Sequence, residues 1–356
     1  MDLFQRKKPL EFAKISKHNI FQFKRDCKFW ELLILNRTEI FSRRDGMTLS
    51  GIAGCCDKPL ALAIGVFDGV HLGHRKLLNE VLRMAKELDA VPAALTFFPH
   101  PRSVLFPSAP VVLLMDLPER IRQLKAAGVA MVAVADFTAE FAATEPEDFL
   151  DMLFENVPQL AAVGVGSNWR FGAHGSGNVD LLKKYASRRH LALSAVPELQ
   201  IDQTVVSASS IRQLIAGGKL NQAEKLLGCR YALCGKVAGG YGIAGKNLNC
   251  PTANIQLSAG VLPPDGVYSG ILEVNGQSYA AAVNIGISPT YGRSRDLQRR
   301  VEAHLLDFEG NLYGQNVRLT LGEYLRSEQC FASEDALKQQ IACDVEKIRL
   351  WASKKI

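Results

Sequence analysis

His71 and His74 stand three residues apart in "GVFDGVHLGHRKLL" (65–78), a stretch that also holds Gly65, Gly69 and Gly73. At the start of a helix, that spacing puts both imidazoles on one face of the first turn. There they can donate hydrogen bonds to phosphate oxygens that gain charge in a transition state, and one such donor is worth about 2.7–4 kcal/mol. Gly65 and Gly69 let the backbone turn and come close to a ligand. Gly73 lets the helix start sit against the strand, and the free N–H groups at a helix start favour phosphate. In "CPTAN" (250–254), Pro251 sets a rigid turn, and Thr252 and Asn254 present hard oxygen atoms on one side of an extended strand. That donor set suits Mg²⁺, which takes few protein oxygens and completes its shell with phosphates and water.

The elements that must hold these residues alternate. "LALAIGVF" (60–67) is a continuous apolar run, as in a strand buried on both faces of a parallel sheet. "HRKLLNEVLRMAKEL" follows with helical spacing, then "VPAALTFF" as a strand, "PERIRQLKAAG" as a helix and "VAMVAVADF" as a strand. "EPEDFLDMLFENV", "AAVGVG", "VDLLKKYASRR" and "LALSAVPEL" repeat the pattern. Strand and helix alternating this often predict a doubly wound, Rossmann-like α/β sheet, with ligands outside the carboxyl ends of its strands. Two short helices, "SSIRQLIAGG" and "LNQAEKLLG", close this region. Beyond them come short alternating strands with turn residues between, including the hairpin signal "VNGQ". They predict an all-β barrel. A C-terminal helix follows, opened by Ser333. The expected organisation is an extension of uncertain structure over 1–46, an α/β domain over 47–228 and a barrel domain over 229–356.

Composition narrows the function classes. The net charge is +6, but residues 1–46 hold eleven Lys and Arg against six Asp and Glu. The remaining body is nearly neutral, unlike a general nucleic-acid binder with its basic face. The eight cysteines form no CxxC pair, which excludes zinc-ribbon and thioredoxin-type readings and fits reduced thiols. No apolar run approaches the roughly 18 residues of a membrane span. The expectation is a cytoplasmic enzyme with small-molecule substrates, no nucleic acid and no membrane.

The His-x-Gly-His element resembles the nucleotidyltransferase superfamily. The wider string "GVFDGVHLGH" resembles the flavin-nucleotide adenylyltransferase module of prokaryotic bifunctional riboflavin kinase/FAD synthetases. "TFFPHP" (96–101) is similar to that family's segment lining the flavin side, with Phe98 where an acid is common. "VGSNWRFG" is similar to its Gly-x-Asp/Asn-Phe-Arg-Phe-Gly segment, with Trp169 for Phe. "VSASSIR" is similar to its Ser-Ser-Thr-x-Ile-Arg element, with Ala208 and Ser209 for Ser and Thr. In the second half, "CPTAN", "GVYSG" (266–270), "VNIGISPTYG" (283–292), "VEAHLLDFEGNLYG" (301–314) and "YLRSEQCF" (324–331) resemble a flavokinase barrel. Before "CPTAN" this chain reads "GKNLNC", with Lys246, Asn249 and Cys250 where the family has Arg, Gly and an aromatic residue.

This resemblance implies two activities. Riboflavin is phosphorylated by ATP to FMN, and FMN is then adenylylated to FAD with release of pyrophosphate. It implies ATP as co-substrate and Mg²⁺ as cofactor, held by Thr252 and Asn254. His71 and His74 become catalytic in adenylyl transfer, and Glu302 becomes the general base on the ribityl hydroxyl of riboflavin. Nucleotide contacts are implied for Gly65, Phe67, Asp68, Gly69, Gly73, Ser207, Ser209, Arg212 and Lys246. Flavin contacts are implied for Phe97, Pro99, Asn168, Arg170, Arg326 and Glu328. The alternatives are an adenylyltransferase with a degenerate kinase barrel, a flavin-binding regulator without chemistry, and an RNA-binding protein acting through residues 1–46.

Overall fold

The computed structural model describes residues 54, 57–238, 252–287, 299–329 and 333–354. The extension at 1–46 lies outside them.

The first apolar run forms strand β1 (Leu60–Ile64), buried along its whole length. Helix α1 (Leu72–Glu87) turns Leu77, Leu78, Val81, Met84 and Ala85 inward, as its spacing requires. The order continues with β2 (Val91–Phe98), α2 (Pro101–Leu105), α3 (Leu117–Ala126), β3 (Met131–Asp136), α4 (Ala139–Ala142) and α5 (Pro146–Asn156). Then come β4 (Leu160–Gly166), α6 (Val179–Arg188), β5 (Ala192–Val196), the short pair β6 (Gln200–Ile201) and β7 (Thr204–Val205), α7 (Ala208–Ala216) and α8 (Leu220–Leu227). The five long strands make one sheet in the order β3-β2-β1-β4-β5, and every pairing is parallel. The order reverses at β1, so its carboxyl end opens on the switch-point crevice. The doubly wound prediction holds. The pieces not anticipated are α2, α4 and the β6–β7 pair, which are too short to show a period in the sequence.

The second part is a closed six-stranded barrel in the order β10-β11-β12-β9-β8-β13. Its strands are β8 (Ala232–Ala238), β9 (Thr252–Ala259), β10 (Gly266–Val274), β11 (Gln277–Ile287), β12 (Arg299–Leu305) and β13 (Asn316–Arg326). Helix α9 (Glu334–Ala352) follows, with the Ser333 side chain accepting from the N–H of Ala336. At "VNGQ", Asn275 and Gly276 both take positive φ, 50° and 77°, which is the hairpin turn that Asn-Gly favours. Strict alternation fixes the faces. Ala253, Ile255, Val283, Ile285, Val301 and Ala303 are buried, so Asn254, Asn284 and Glu302 point away from the barrel core.

The two parts share an apolar core. Val206, Ile211, Ile215, Ala223, Leu226 and Leu227, from around α7 and α8, cluster with Tyr231, Leu233 and Val237 of the barrel.

Candidate active sites

The turn after β1 is tightly built. Phe67 has φ +54° and Val70 φ +36°, a left-handed backbone that side chains of this kind rarely take and that clusters at functional sites. Phe67 is fully buried. Its ring lies under Gly65, where a Cβ would meet it at 3.2 Å, and edge-on to His74 with centroids 5.2 Å apart. The Phe67 ring is thus a buried floor beside His74. Gly69 has φ +85° and packs beside Leu114. His71 is the N-cap of α1, its Nδ1 accepting from the N–H of His74 at 3.3 Å. The two rings stack with centroids 3.6 Å apart and planes 15° from parallel.

That geometry sets the charge state. With Nδ1 of His71 an acceptor, the proton sits on Nε2, which remains a donor. Burial, helped by the charge of Arg212, lowers the His71 pKa to about 4. Burial, with His71 and Arg120 nearby, holds His74 well below its ordinary value, and its Nδ1 is buried without a partner. Both rings are therefore neutral at physiological pH, each with a single N–H left to donate.

The two halves of the α/β site meet at Gly73. A Cβ there would lie 3.2 Å from the His71 ring and 3.3 Å from the carbonyl oxygen of Val206, just before α7. Ser207 caps α7, its Oγ accepting from the N–H of Ser210 at 3.1 Å and sharing a 2.9 Å hydrogen bond with the Ser210 hydroxyl. Ser209 is exposed in the first turn, and Arg212 follows one turn later. Arg212 is not the solvated helix residue that an isolated arginine often is. Its Nη2 lies 2.6 Å from Asp68 Oδ2. Sequence reasoning missed Arg120 of α3, which reads as an ordinary helix charge in "PERIRQLK". It is fully buried and donates to the Phe97 carbonyl at 3.0 Å and to Thr96 Oγ1 at 3.3 Å. Thr96 in turn donates to the Val66 carbonyl.

At the carboxyl end of β2, strand alternation decides between neighbours. Phe97 is 8% exposed and its ring packs in the core against Phe137 and Phe141. Phe98 points the other way and is 38% exposed; it precedes Pro99 through a cis peptide bond. At the end of β4, Asn168 donates to Glu198 at 2.7 Å. Trp169 stacks on Phe171 with centroids 4.4 Å apart, and Arg170 is exposed.

The barrel carries its polar residues in a row. Glu302 lies opposite Asn254 of β9 on one side and opposite Asn284 of β11 on the other. Asn284 donates to Glu328 at 2.8 Å, while its own Oδ1 is buried without a partner. Burial raises the Glu302 pKa; Arg300 opposes this and Glu328 adds to it. A structural ion pair between Glu302 and Arg299 or Arg318 is not formed. Arg299 bonds Asp265, and Arg318 bonds Glu273 and Glu119. Arg326 is held by protein partners. Its guanidinium is bound to Asp344 of α9 at 2.8 Å and to the Ser327 carbonyl, so it anchors the helix, and Glu328 is the member of the pair beside the row. In the barrel, Asn284 is the residue that sequence reasoning did not single out. The oxygens of Asn254, Glu302 and Asn284 are hard donors of the kind Mg²⁺ takes. Thr252 begins β9 opposite His304, and its side chain lies outside the described residues. So do Lys246, Asn249, Cys250 and Pro251.

The FAD synthetase family profile matches residues 55–210, and the riboflavin kinase profile matches residues 227–352. The chain belongs to the bifunctional riboflavin kinase/FMN adenylyltransferase family. A member of this family from Haemophilus influenzae is 34% identical over 287 residues, covering 80% of this chain and 92% of that one. The Escherichia coli K12 member is 33% identical over 284 residues, 80% of this chain and 90% of its own. The Bacillus subtilis member is 32% identical over 288 residues, with the same two shares. A solved structure named as a macrolide-efflux protein from Streptococcus pneumoniae superposes with a TM-score of 0.72 at 27% identity, over 83% of this chain and 95% of that one. Among the described residues of this family member, no helix is long and apolar enough to cross a membrane.

Proposed function

We propose that the barrel, residues 229–356, transfers the γ-phosphoryl group of ATP to the 5′-hydroxyl of riboflavin, giving FMN and ADP. The α/β domain, residues 47–228, then transfers AMP from a second ATP to FMN, giving FAD and pyrophosphate. The arrangement of the eight cysteines fits a cytoplasmic setting.

In the kinase, Glu302 takes the proton of the ribityl hydroxyl as its oxygen attacks the γ-phosphorus. A pKa raised by burial makes this carboxylate a better acceptor, and such a base is worth roughly 10²–10⁴-fold in rate. Asn254, with Thr252 as the second ligand, would hold Mg²⁺, which when bound neutralises charge on the phosphate oxygens. Asn284 and Glu328 border the riboflavin alcohol.

In the adenylyltransferase, a phosphate oxygen of FMN attacks the α-phosphorus of ATP, and the bond to the bridging oxygen of pyrophosphate breaks. His71 and His74 donate hydrogen bonds as charge gathers on the phosphate oxygens. Arg212 holds the triphosphate, with the N-terminus of α7 and Ser209 beside it. Gly65, Gly69 and Gly73 keep the backbone close to the nucleotide. Phe98, Pro99, Asn168 and Arg170 border the flavin.

The observation that carries this reading is the row Asn254–Glu302–Asn284 in the same chain as the stacked His71–His74 pair. It also weighs against the single-activity alternative, which has no use for an intact row. Purified protein given riboflavin and ATP–Mg²⁺ is the test. FMN followed by FAD is expected; FAD formed only from supplied FMN would leave the barrel without chemistry. Glu302→Gln is expected to abolish FMN formation and to spare FAD formation from FMN.

A further inference from the structure

Asp68 is one residue from the buried Phe67 and is itself 1% exposed. Its carboxylate is occupied by protein donors. Oδ1 accepts from the N–H of Leu114 at 3.0 Å and of Met115 at 3.4 Å. Oδ2 accepts from Leu114 N–H at 3.1 Å and from Arg212 Nη2 at 2.6 Å. The ion pair joins residues 144 apart in sequence, binding the β1 turn to α7. The Arg212 side chain is 19% exposed, and its Nε is buried without a partner. A guanidinium is a planar fork with five N–H donors. Held at one corner by a carboxylate, it keeps the other donors for a second anion and loses less freedom when that anion arrives.

We propose that Asp68 is a positioning residue for adenylyl transfer: it does not touch the nucleotide, but fixes the guanidinium of Arg212 in the orientation that receives the triphosphate. The inference rests on the reading of Arg212 as a triphosphate contact. It replaces the direct nucleotide contact expected of Asp68 from the motif. A carboxylate aimed at ATP would repel it, whereas the same carboxylate behind an arginine orients a cation toward it.

A simpler role is a clip that holds the 114–115 segment in place, with no effect through Arg212. A double-mutant cycle separates the two. Asp68→Asn keeps an oxygen that can accept from Leu114 and Met115. Its amide nitrogen cannot accept from Arg212. FAD formation from FMN is measured with ATP varied for full-length wild type, Asp68→Asn, Arg212→Ala and the double variant. Riboflavin kinase activity of each preparation reports a folded chain. If misplacing the guanidinium is what matters, Asp68→Asn alone lowers kcat/KM for ATP on the order of 10²-fold. In the Arg212→Ala background the same change lowers it less than about twofold, because nothing is left to position. Equal losses in both backgrounds would overturn the proposal in favour of the clip. An Arg212→Ala variant as active as wild type would overturn the reading of Arg212 itself, and the proposal with it. Should Asp68→Asn lack kinase activity, Asp68→Glu replaces it in the same cycle. It keeps the charge and displaces the guanidinium, so the same non-additivity is expected, and equal losses again count against the proposal.

Discussion

The protonation state of His71 has a consequence for stability that can be worked from its surroundings. Its folded pKa is lowered from 6.5 to about 4, by burial first and then by Arg212. The unfolded chain therefore binds a proton at this position that the folded chain refuses. Stability from this group is fully present above about pH 6.5 and is lost as pH falls, with the loss complete below about pH 4. The difference is worth roughly 3 kcal/mol in total, of which about 1 kcal/mol is lost by about pH 5.5. His71→Asn removes the titrating group and keeps the cap, since asparagine accepts well from the N–H three residues on. Urea denaturation of full-length protein at about pH 7.5 and about pH 5.5 checks this. Wild type is expected to lose on the order of 1 kcal/mol more than His71→Asn between the two conditions. Parallel losses in the two proteins would show that His71 titrates normally in the fold, and the description of the pair as neutral donors would fail.

Two further outcomes follow from neighbouring residues with different partners. Phe97→Ala is expected to cost about 3–5 kcal/mol of stability, while Phe98→Ala stays within about 0.5 kcal/mol and raises KM for FMN in FAD formation; a stability assay paired with FMN titration checks both. Glu119 is 5% exposed; burial alone would raise its pKa, but Arg122, Gln123 and Arg318 hold it below the ordinary value. Arg318→Ala removes the barrel's share of that support and is expected to cost about 1–3 kcal/mol, read from the urea midpoint, with no loss if the contact between β13 and α3 is idle.

Much of this was legible in the sequence where residue type and spacing carry the chemistry. The two histidines, the strand-helix alternation and the Asn-Gly turn each act within a few residues of chain. What was not legible depends on register between distant strands. "FFP" does not say which phenylalanine faces the core, because that depends on how β2 lies against β1 and β3. Asn284 looks like any polar strand residue until β12 brings Glu302 opposite it. Arg326 and Arg120 read as solvent-facing or ligand-facing charges, and only the packing of α9 and of α3 shows them buried against protein partners. Asp68 was found by its motif, but its partner lies on a helix encoded far downstream.

The core shared by α7, α8 and the barrel bears on how this protein can be taken apart. A fragment ending before Ala208 would lack Arg212, and one running through Leu227 would display Ile211, Ile215, Leu226 and others of that cluster to water. The residue that ends α8, Gly228, has no room for a side chain because Leu72, in the middle of the histidine motif, fills the space. Severing the chain here therefore leaves a greasy face on each piece and loosens the seat of the start of α1. An isolated adenylyltransferase half would need surface redesign of these two helices before it behaved as a monodisperse protein.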